Sequence, residues 1–497
     1  MSEFIMALDQ GTTSSRTIIF NKLGEIISMA TEPLQCHYPQ SGWVEQIPSE
    51  IWQGQLKTMK EALKTANLQA SDIRCIGITN QRETVIAWDK TTGQALNNAI
   101  VWQCRRTADF CEELKAEGFD SKLKQKTGLV TDAYFSGTKM RWLLQNNPAV
   151  KKCADDGNLL FGTVDSWLVY NLTKGEKHIS DASNASRTLV YNIHDKDWDQ
   201  EILERFEIPR SALPTVVDSS QRVGECHPDF LGSSIVISGI AGDQQSALFG
   251  QLCLNEGMAK NTYGTGCFLL MNTGDKAVNS QNGLLTTIAW SIGGKTTYAL
   301  EGAVFIGGAL VQWLRDELQI IEDAALCEEM ALKANPNSDV YIVPAFVGLG
   351  APYWDPYARG TMHGLTRDTS REDIVKASLN AIALQSRDVL ECMQQDLQKK
   401  LSILKVDGGA SANNYLMQFQ ADINQCTVSR PTVVETTAMG AAYLAGLAAG
   451  VYKDFDELTQ LAQEGRAFEP SMADTEAKKH TDYWKKAIER SKNWIEA

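Results

Sequence analysis

Segment 9–16 contains the residue types in this sequence that are best suited to chemistry. It reads Asp-Gln-Gly-Thr-Thr-Ser-Ser-Arg, so a carboxylate and a glycine are followed by four hydroxyl side chains and a cation. Hydroxyl and backbone N–H donors with a guanidinium suit the oxygens of a phosphate. The carboxylate of Asp9 suits a hydrated Mg²⁺ that phosphates also ligate. The segment therefore indicates a phosphate-binding loop, although a polar hairpin turn without function is an equal alternative.

The residues on either side of segment 9–16 predict that it joins two β-strands. Apolar runs occupy residues 4–8 and 17–20. In both common nucleotide-binding fingerprints the glycine loop opens a helix, whereas here the chain passes directly into the second run. The sequence therefore predicts a phosphate-binding β-hairpin, which a turn over 21–24 and a third strand over 25–30 extend into an antiparallel meander.

A similar pattern returns in the second half of the chain. Strand-like residues within 258–272 flank a Tyr-Gly-Thr-Gly turn at 263–266. Each half of the chain thus begins with a β-meander that a glycine-and-hydroxyl turn interrupts. This repeat predicts two related domains, 1–248 and 249–497, that face one another across a cleft. Two such turns suit the clamping of a polyphosphate, although the second turn taken alone is equally typical of a plain β-turn.

Other elements are predicted from hydrophobic periodicity and turn residues. Ser49 is placed as the N-cap of a helix that ends at Leu68. A long helix is predicted over 371–397, and a helix of small residues over 437–450 is suited to close backbone packing. The alternation of helices and strands after the opening meander predicts an α/β fold. The remaining strands are predicted over 73–79, 84–88, 235–240, 285–292 and 402–406.

Two polar clusters directly follow predicted strands. Segment 79–83 reads Thr-Asn-Gln-Arg-Glu and groups a cation, a carboxylate and two amides. Such a set matches the hydroxyls of a polyol, and a surface ion pair is the alternative. Segment 241–245 reads Ala-Gly-Asp-Gln-Gln and begins a helix. Its Asp243 is suited to the role of general base, and a helix-dipole partner is the alternative.

Aromatic and glycine-rich segments complete the set of candidate functional residues. Trp102 and Tyr134 are suited to covering the carbon backbone of a substrate, or belong to the core. The turn Asp-Gly-Gly-Ala-Ser at 407–411 follows a strand and lets a nucleoside lie against backbone. A plain strand-to-helix connection is the alternative for that turn.

Composition and charge limit the possible classes of function. The 497 residues are 43% hydrophobic and 22% charged, which is ordinary for a globular protein. A formal net charge of −14 argues against nucleic acid or an anionic membrane as a partner. No apolar run approaches the roughly 20 residues of a membrane span, and the N-terminus lacks a signal pattern. We therefore expect a cytoplasmic protein, whose eleven cysteines are mostly small buried hydrophobic residues.

Taken together, these segments resemble the FGGY carbohydrate kinases, which belong to the actin–hexokinase–Hsp70 fold superfamily. The resemblance extends in order over essentially the whole chain. Segments 79–83, 100–106 and 184–187 resemble the branch of this family that acts on glycerol. The segments that resemble the family as a whole are 9–16, 42–45, 79–83, 102–106, 162–165, 241–245, 263–268 and 407–410.

The resemblance implies a fold and an activity. The implied fold is α/β, with two RNase H-like domains of the actin/hexokinase type and a cleft between them. The implied activity is the phosphorylation of glycerol to sn-glycerol 3-phosphate, with ATP as the phosphoryl donor and Mg²⁺ as the metal cofactor. The family also implies a homodimer or a homotetramer.

By the same resemblance, individual residues have expected roles. Asp243 is the catalytic base, and Asp9 with Asp243 helps to hold Mg²⁺. Trp102 and Phe268 are apolar walls of the glycerol site. The residues expected to hold glycerol are Arg82, Glu83, Tyr134, Asp243 and Gln244. The nucleotide phosphates are expected at Thr12, Thr13, Ser14, Arg16 and Thr265, and the nucleoside at Gly308, Gln312, Gly409 and Asn413.

Two other functions remain as alternatives. One is a kinase of another polyol or of a ketose within the same family. The other is a nucleotide-driven switch of the actin or Hsp70 kind, which uses the same fold without a small substrate. The pairs Arg82-Glu83 and Asp243-Gln244 argue against a switch, because a switch needs no polyol pocket.

Overall fold

The computed structural model describes residues 4–461 and 465–496. In chain order, its strands are β1 (Phe4–Gln10), β2 (Ser14–Phe20), β3 (Ile26–Pro33), β4 (Glu45–Gln46), β5 (Ile73–Asn80), β6 (Ile86–Asp89), β7 (Ala99–Ile100), β8 (Leu159–Gly162), β9 (Ile179–Asp181), β10 (Tyr191–Asn192), β11 (Asp197–Trp198), β12 (Thr215–Val217), β13 (Ser220–Cys226), β14 (Ile235–Gly242), β15 (Ala259–Tyr263), β16 (Cys267–Gly274), β17 (Leu285–Ile292), β18 (Lys295–Val304), β19 (Tyr341–Val343), β20 (Thr361–His363), β21 (Ile403–Asp407), β22 (Thr427–Arg430) and β23 (Arg466–Phe468).

The helices are much more varied in length than the strands. Within the described residues, no helix has both the length and the apolarity that crossing a membrane requires. They are α1 (Pro48–Ala66), α2 (Ala108–Ala116), α3 (Asp120–Thr127), α4 (Ser136–Asn146), α5 (Pro148–Asp155), α6 (Val164–Leu172), α7 (Ala182–Ala185), α8 (Gln200–Phe206), α9 (Pro228–Leu231), α10 (Asp243–Gly250), α11 (Gly308–Asp316), α12 (Cys327–Lys333), α13 (Arg371–Leu397), α14 (Asn414–Asn424), α15 (Thr436–Ala448), α16 (Phe455–Leu461) and α17 (Asp474–Ser491).

One large sheet passes through both halves of the molecule, and its strand order repeats. In the first half, β1 is antiparallel to β2 and parallel to β5, which is parallel to β14. In the second half, β15 is antiparallel to β16 and parallel to β21, which is parallel to β22. The resulting orders β3-β2-β1-β5-β14 and β18-β16-β15-β21-β22 are equivalent. The prediction of an α/β fold with two related halves is confirmed, whereas the boundary at 248/249, which falls within α10, stays a prediction.

The opening hairpin is confirmed, with a shorter loop than the sequence suggested. Strand β2 begins at Ser14, so the loop itself is only residues 11–13. Asp9 and Arg16 stand directly opposite one another in the β1–β2 pair. The chain continues through β2 into β3 without an intervening helix, so this is the predicted hairpin and not a helix N-terminus.

The prediction that Ser49 caps the first long helix is wrong. Helix α1 begins at Pro48, and the residue before it is Ile47, whose side chain has no hydrogen-bonding atom. Proline is favoured at the first helical position because its φ is already helical and its missing N–H is not needed there. By contrast, α13 has the predicted bounds, and Ser370 with Asp373 forms a capping box at its start.

The central strands of the first half are buried on both faces, which is typical of parallel strands covered by helices. Met6 and Leu8 of β1 belong to one apolar cluster, which includes Ile51 of α1. Ile5 and Ala7, whose side chains alternate with these, belong to a second cluster that includes residues of α10 and α15. A helix from the second half of the chain thus covers the sheet of the first half.

Glycines allow α15 to approach that sheet and α10 at backbone distance. A Cβ added to Gly77 of β5 would lie 2.1 Å from the carbonyl oxygen of Ala441 on α15. A Cβ added to Gly440 of α15 would lie 1.8 Å from the carbonyl oxygen of Ser246 on α10. The expectation of close packing by this helix of small residues is therefore confirmed, and the contact joins the two halves.

The cysteines have the predicted structural character. All eleven lie within the described residues as free thiols, and ten of them are buried. Burial raises the pKa of several of these thiols, including Cys253 and Cys267, to about 12. They therefore stay protonated at neutral pH and pack as small apolar groups.

Gly77→Ala is expected to destabilise the protein by about 1–3 kcal/mol, because the new methyl group overlaps the backbone of α15. Gly224→Ala on β13 is the matched control, since its new Cβ would meet only side-chain carbons of Thr173 and Lys177 at 3.2 and 3.3 Å. Denaturant unfolding measures both variants. Equal stability losses in the two variants would contradict the backbone contact.

Candidate active site

The ends of three parallel strands bring the two predicted acidic residues together. Asp9 of β1 is in register with Thr79 of β5, which is in register with Ala241 of β14. Asp243 follows two residues after Ala241 at the start of α10. Burial raises the pKa of both carboxyl groups, and the negative charge of Asp9 raises that of Asp243 further. The two carboxylates are therefore near neighbours at one edge of the sheet.

The predicted first phosphate loop makes several hydrogen bonds with its surroundings. The N–H of Gly11 donates to the carbonyl of Ser14 across the turn, at 2.9 Å. The hydroxyl of Thr12 accepts from Trp102 Nε1 at 2.9 Å, and the Thr12 carbonyl accepts from Gln46 at 2.6 Å. Thr13 is exposed at the tip, and Ser14 is half-buried. The loop is thus a rigid turn with an open tip, linked directly to the predicted substrate wall.

Arg16 is placed beside carboxylates of both halves. Its Nε donates to Asp9 Oδ2 at 3.1 Å, and its Nη1 lies 2.8 Å from Oε2 of Glu435. Glu435 directly precedes α15, the helix that packs on the first half. Arg16 therefore connects the predicted metal ligand to the junction of the two halves, and its predicted contact with phosphate stays a prediction.

A buried ion network lies beneath the predicted glycerol site. Arg82 donates from Nη1 to Glu301 Oε2 at 2.5 Å and from Nη2 to Glu301 Oε1 at 3.0 Å. Arg187 donates from Nη2 to the same Oε1 at 3.0 Å and from Nε to Glu83 Oε1 at 2.7 Å. Burial alone would raise the pKa of Glu301, but Arg187 and Arg82 outweigh it and hold that pKa at about 2. Two cations and two carboxylates thus neutralise one another in the interior.

Asp243 and Gln244 lie at the accessible side of this network. Arg82 Nε is 3.2 Å from Asp243 Oδ1, and the Asp243 side chain is 32% exposed whereas that of Arg82 is 2% exposed. Burial raises the pKa of Asp243, and Arg82 opposes this shift without cancelling it. The Gln244 side-chain oxygen accepts from the buried ammonium of Lys260 on β15. The site therefore has one solvent-accessible carboxylate, that of Asp243, above a buried network of ion pairs.

The predicted aromatic walls lie on different elements. The rings of Trp102 and Tyr134 pack edge to face with centroids 5.6 Å apart, and the Arg187 guanidinium is 5.8 Å from the Tyr134 ring. Phe268 lies on β16, opposite Ala303 of β18. Because side chains repeat every second residue along a strand, Phe268 shares its face of the sheet with Glu301. Both walls therefore border the ion network, Trp102 and Tyr134 from the first half and Phe268 from the second.

The residues predicted for the nucleotide surround the turn at 263–266. The N–H groups of Gly307 and Gly308 donate to the carbonyls of Thr265 and Gly264, each at 2.8 Å, so the exposed Thr265 lies against the start of α11. Gln312 is one turn further along α11 and is exposed.

The second nucleoside segment approaches the same turn from the other side. Gly408 has a φ of 84°, and a Cβ there would lie 2.6 Å from the Tyr263 carbonyl oxygen. Gly409 faces open space, and Asn413 caps α14 by accepting from the Leu416 N–H at 2.9 Å. The start of α11 and the segment at Gly408 therefore both contact the turn that carries Thr265, and the predicted Gln312 and Asn413 lie four residues after Gly308 and Gly409.

The sequence did not reveal several residues that build the site. Glu301 and Lys260 are charged residues flanked by apolar or uncharged residues within strands, and a charge in such a position is itself the available signal. Arg187 was noticed only as part of segment 184–187. Gln245, which accepts from Arg82 at 3.2 Å, was noticed only as a neighbour of Asp243.

Comparison with known proteins identifies the family. Residues 4–250 match the N-terminal domain model, and residues 259–449 the C-terminal domain model, of the FGGY family of carbohydrate kinases. The chain belongs to this family. Among curated FGGY relatives, the glycerol kinase of Caldanaerobacter subterraneus subsp. tengcongensis is 57% identical over 100% of both chains. Glycerol kinase 2 of Thermotoga maritima is 57% identical over 99% of both chains.

A solved FGGY structure agrees with the fold. The crystal structure of Plasmodium falciparum glycerol kinase with ADP is 37% identical to this chain. It superposes with a TM-score of 0.93 and covers 99% of both chains. The two-domain FGGY architecture therefore applies along the whole chain.

Glu301→Gln is expected to destabilise the protein by about 3–5 kcal/mol, because it leaves two buried guanidinium groups without their shared carboxylate. The folded-state pKa of about 2 lies below the ordinary value of 4.5. The stabilisation is therefore complete above pH 4.5 and is lost as pH falls toward 2, so the stability difference from wild type should narrow over that range.

Glu372→Gln, which removes a surface pair with Arg371, is the control and should cost at most about 1 kcal/mol. Denaturant unfolding at several pH values measures both variants. A Glu301→Gln loss no larger than that of the control, or a difference that does not change with pH, would contradict the role of the buried network.

Proposed function

We propose that the protein transfers the γ-phosphoryl group of ATP to glycerol and forms sn-glycerol 3-phosphate. Full-length relatives with more than half of their residues identical to this chain are named glycerol kinase. The observation in this structure that carries the proposal is the cluster of Arg82, Glu83 and Asp243. In this cluster, two fixed polar side chains suited to a polyol lie next to one accessible carboxylate, at the same edge of the sheet as Asp9.

The glycerol site uses side chains whose positions are set before substrate arrives. Arg82 is held by Glu301 and Gln245, and Glu83 is held by Arg187. Such preorganisation reduces the entropy lost when a small, flexible polyol binds. The residues proposed to contact the glycerol hydroxyls are Arg82, Glu83, Tyr134, Asp243 and Gln244, with Trp102 and Phe268 against its carbons.

The nucleotide is proposed to bind between the two glycine-containing turns. Its phosphates are assigned to Thr12, Thr13, Ser14 and Arg16 in the first half and to Thr265 in the second. Its nucleoside is assigned to Gly308, Gln312, Gly409 and Asn413. The open tip of the first loop and the open space at Gly409 support this assignment.

Asp9 and Asp243 fit a magnesium ion that arrives with the nucleotide. Among the described residues there is no group of three or more His, Cys, Asp or Glu side chains that could form a complete metal site. Two neighbouring carboxylates are the ligand set expected for Mg²⁺, which keeps several waters and binds phosphate oxygens. When bound, the ion neutralises charge on the phosphate oxygens.

Asp243 is proposed to act as the general base. Its carboxylate orients the terminal hydroxyl of glycerol and accepts its proton. The hydroxyl oxygen then bonds to the γ-phosphorus while the bond from phosphorus to the ADP oxygen breaks. Burial raises the pKa of Asp243 toward the range in which a carboxylate is an effective base. Arg82, at 3.2 Å, holds the carboxylate in place.

Two further assignments belong to this proposal. A cytoplasmic location is supported by the eleven free thiols, which are typical of a reducing compartment. Self-association as a homodimer or homotetramer stays a prediction from the family resemblance.

A coupled ADP-release assay over a panel of polyols and ketoses tests the substrate. We expect glycerol to give the highest kcat/KM, because the fixed polar groups match a three-carbon polyol. Faster turnover of xylulose or ribulose would favour another kinase of the family. ATP turnover that does not rise when glycerol is added would favour a nucleotide switch.

Asp243→Asn is expected to lower kcat by ~10²–10⁴-fold, because an amide cannot accept the hydroxyl proton. Nucleotide affinity, measured by calorimetry, should change little. In the wild type, kcat should fall as pH drops through the raised pKa of Asp243. Asp156→Asn, at the exposed residue directly after α5, is the control for expression and folding. A kcat close to that of wild type in Asp243→Asn would remove Asp243 from this role.

A further inference from the structure

Lys139 is a fully buried lysine behind the glycerol site, and the proposed mechanism does not use it. It lies on α4, and its Nζ donates to the carbonyl of Tyr134 at 2.6 Å and to the carbonyl of Glu83 at 3.2 Å. Among the ion pairs of the described residues, none includes Lys139. Its ammonium therefore serves two backbone oxygens rather than a carboxylate.

The two carbonyls belong to two residues from different segments, both proposed to contact the substrate. Glu83 follows β5 and contributes a carboxylate, whereas Tyr134 precedes α4 and contributes a ring. Glu83 has a φ of 59°, a left-handed conformation that is unfavourable for a residue with a side chain. The hydroxyl of Ser136 also donates to the Glu83 carbonyl, at 3.1 Å. Two donors from α4 thus support the backbone of Glu83 in this conformation.

Burial of a lysine in this position is unfavourable in free energy, so its amine must make interactions that offset the cost. Transfer of an ammonium group from water into the interior is unfavourable, and methionine would fill the same volume without that cost. Burial lowers the pKa of Lys139 to about 7. The bonds to two carbonyls are the interactions that a methionine cannot make.

We propose that Lys139 is a positioning residue for polyol binding, because its amine ties the backbone of Glu83 to that of Tyr134. It thereby sets the separation between the carboxylate and the ring that contact substrate. This inference rests on the proposed glycerol site and adds a residue to it that does not touch the substrate.

The carboxylates around Lys139 are paired with arginines, so the amine of Lys139 is the group whose charge changes near neutral pH. The Glu83 side chain is paired with Arg187. Asp132, which precedes Tyr134, is paired with Arg105 at 2.5 Å. The other titratable group nearby is the thiol of Cys104, on the loop before α2. Loss of the ammonium charge weakens the two bonds to carbonyl oxygen, so KM for glycerol should rise as pH increases above about 7.

Steady-state kinetics of Lys139→Met with glycerol and ATP varied separately test the proposal. We expect KM for glycerol to rise about tenfold or more, the effect of losing a charge-assisted hydrogen bond. KM for ATP should not change, and the rise of glycerol KM with pH should disappear. Lys139→Gln, which retains an N–H donor without charge, should lie between wild type and Lys139→Met.

Lys151→Met, at an exposed position on α5, is the matched control and should behave as wild type. An unchanged glycerol KM in Lys139→Met, or equal changes in the KM values for glycerol and ATP, would overturn the proposal. If Lys139→Met does not fold, the wild-type profile decides. A glycerol KM that stays constant from about pH 6 to about pH 9 would then overturn it.

The same assays separate failure of this inference from failure of the proposed function. Wild-type protein that does not phosphorylate glycerol contradicts the function itself. Wild-type protein that phosphorylates glycerol, with a Lys139→Met variant that binds it equally well, contradicts only the role of Lys139.

Discussion

The proposed substrate site depends on the buried ion pairs that the Glu301 carboxylate forms with two arginines. This carboxylate accepts from two guanidinium groups, those of Arg82 and Arg187, in a place where either cation alone would be strongly unfavourable. Arg82 in turn holds Asp243, and Arg187 holds Glu83. The two carboxylates proposed to bind the polyol are therefore fixed indirectly, through cations that a third carboxylate neutralises. Rigidity at the site follows from charge balance beneath it.

The junction of the two halves supports this arrangement mechanically. Helix α15 touches the first-half sheet and α10 at backbone distance, and the glycines at 77 and 440 make that approach possible. Asp243 begins α10, so the helix that carries the proposed general base is seated against an element of the other half. Glu435, just before α15, reaches Arg16 beside the proposed first phosphate loop. Packing and electrostatics thus connect the proposed nucleotide and polyol sites through the same junction.

Local patterns in the sequence predict secondary-structure elements such as the opening hairpin and α13. They do not predict the buried ion network around Glu301. The opening hairpin and α13 follow from residue periodicity and turn chemistry, which act over a few residues. Ser49 was misplaced as a cap because Pro48 is the better helix start. The contact between Arg82 and Glu301 joins residues 219 positions apart, and no local pattern carries such information. Family resemblance predicts residues that would touch ligands, but not Lys139 or Glu301, whose contacts are with the neighbours of the proposed substrate.

The origin of Glu301 in the second half has a consequence for how such enzymes can be recombined. The residues proposed to contact the polyol lie mainly in the first half, so an exchange of that half between family members is the simplest way to attempt a transfer of substrate preference. Its two arginines, however, would arrive without their counter-charge unless the recipient strand carries an acidic residue at the same register. In this chain, a single crossover between the halves would thus separate the proposed binding groups from the carboxylate that neutralises their arginines.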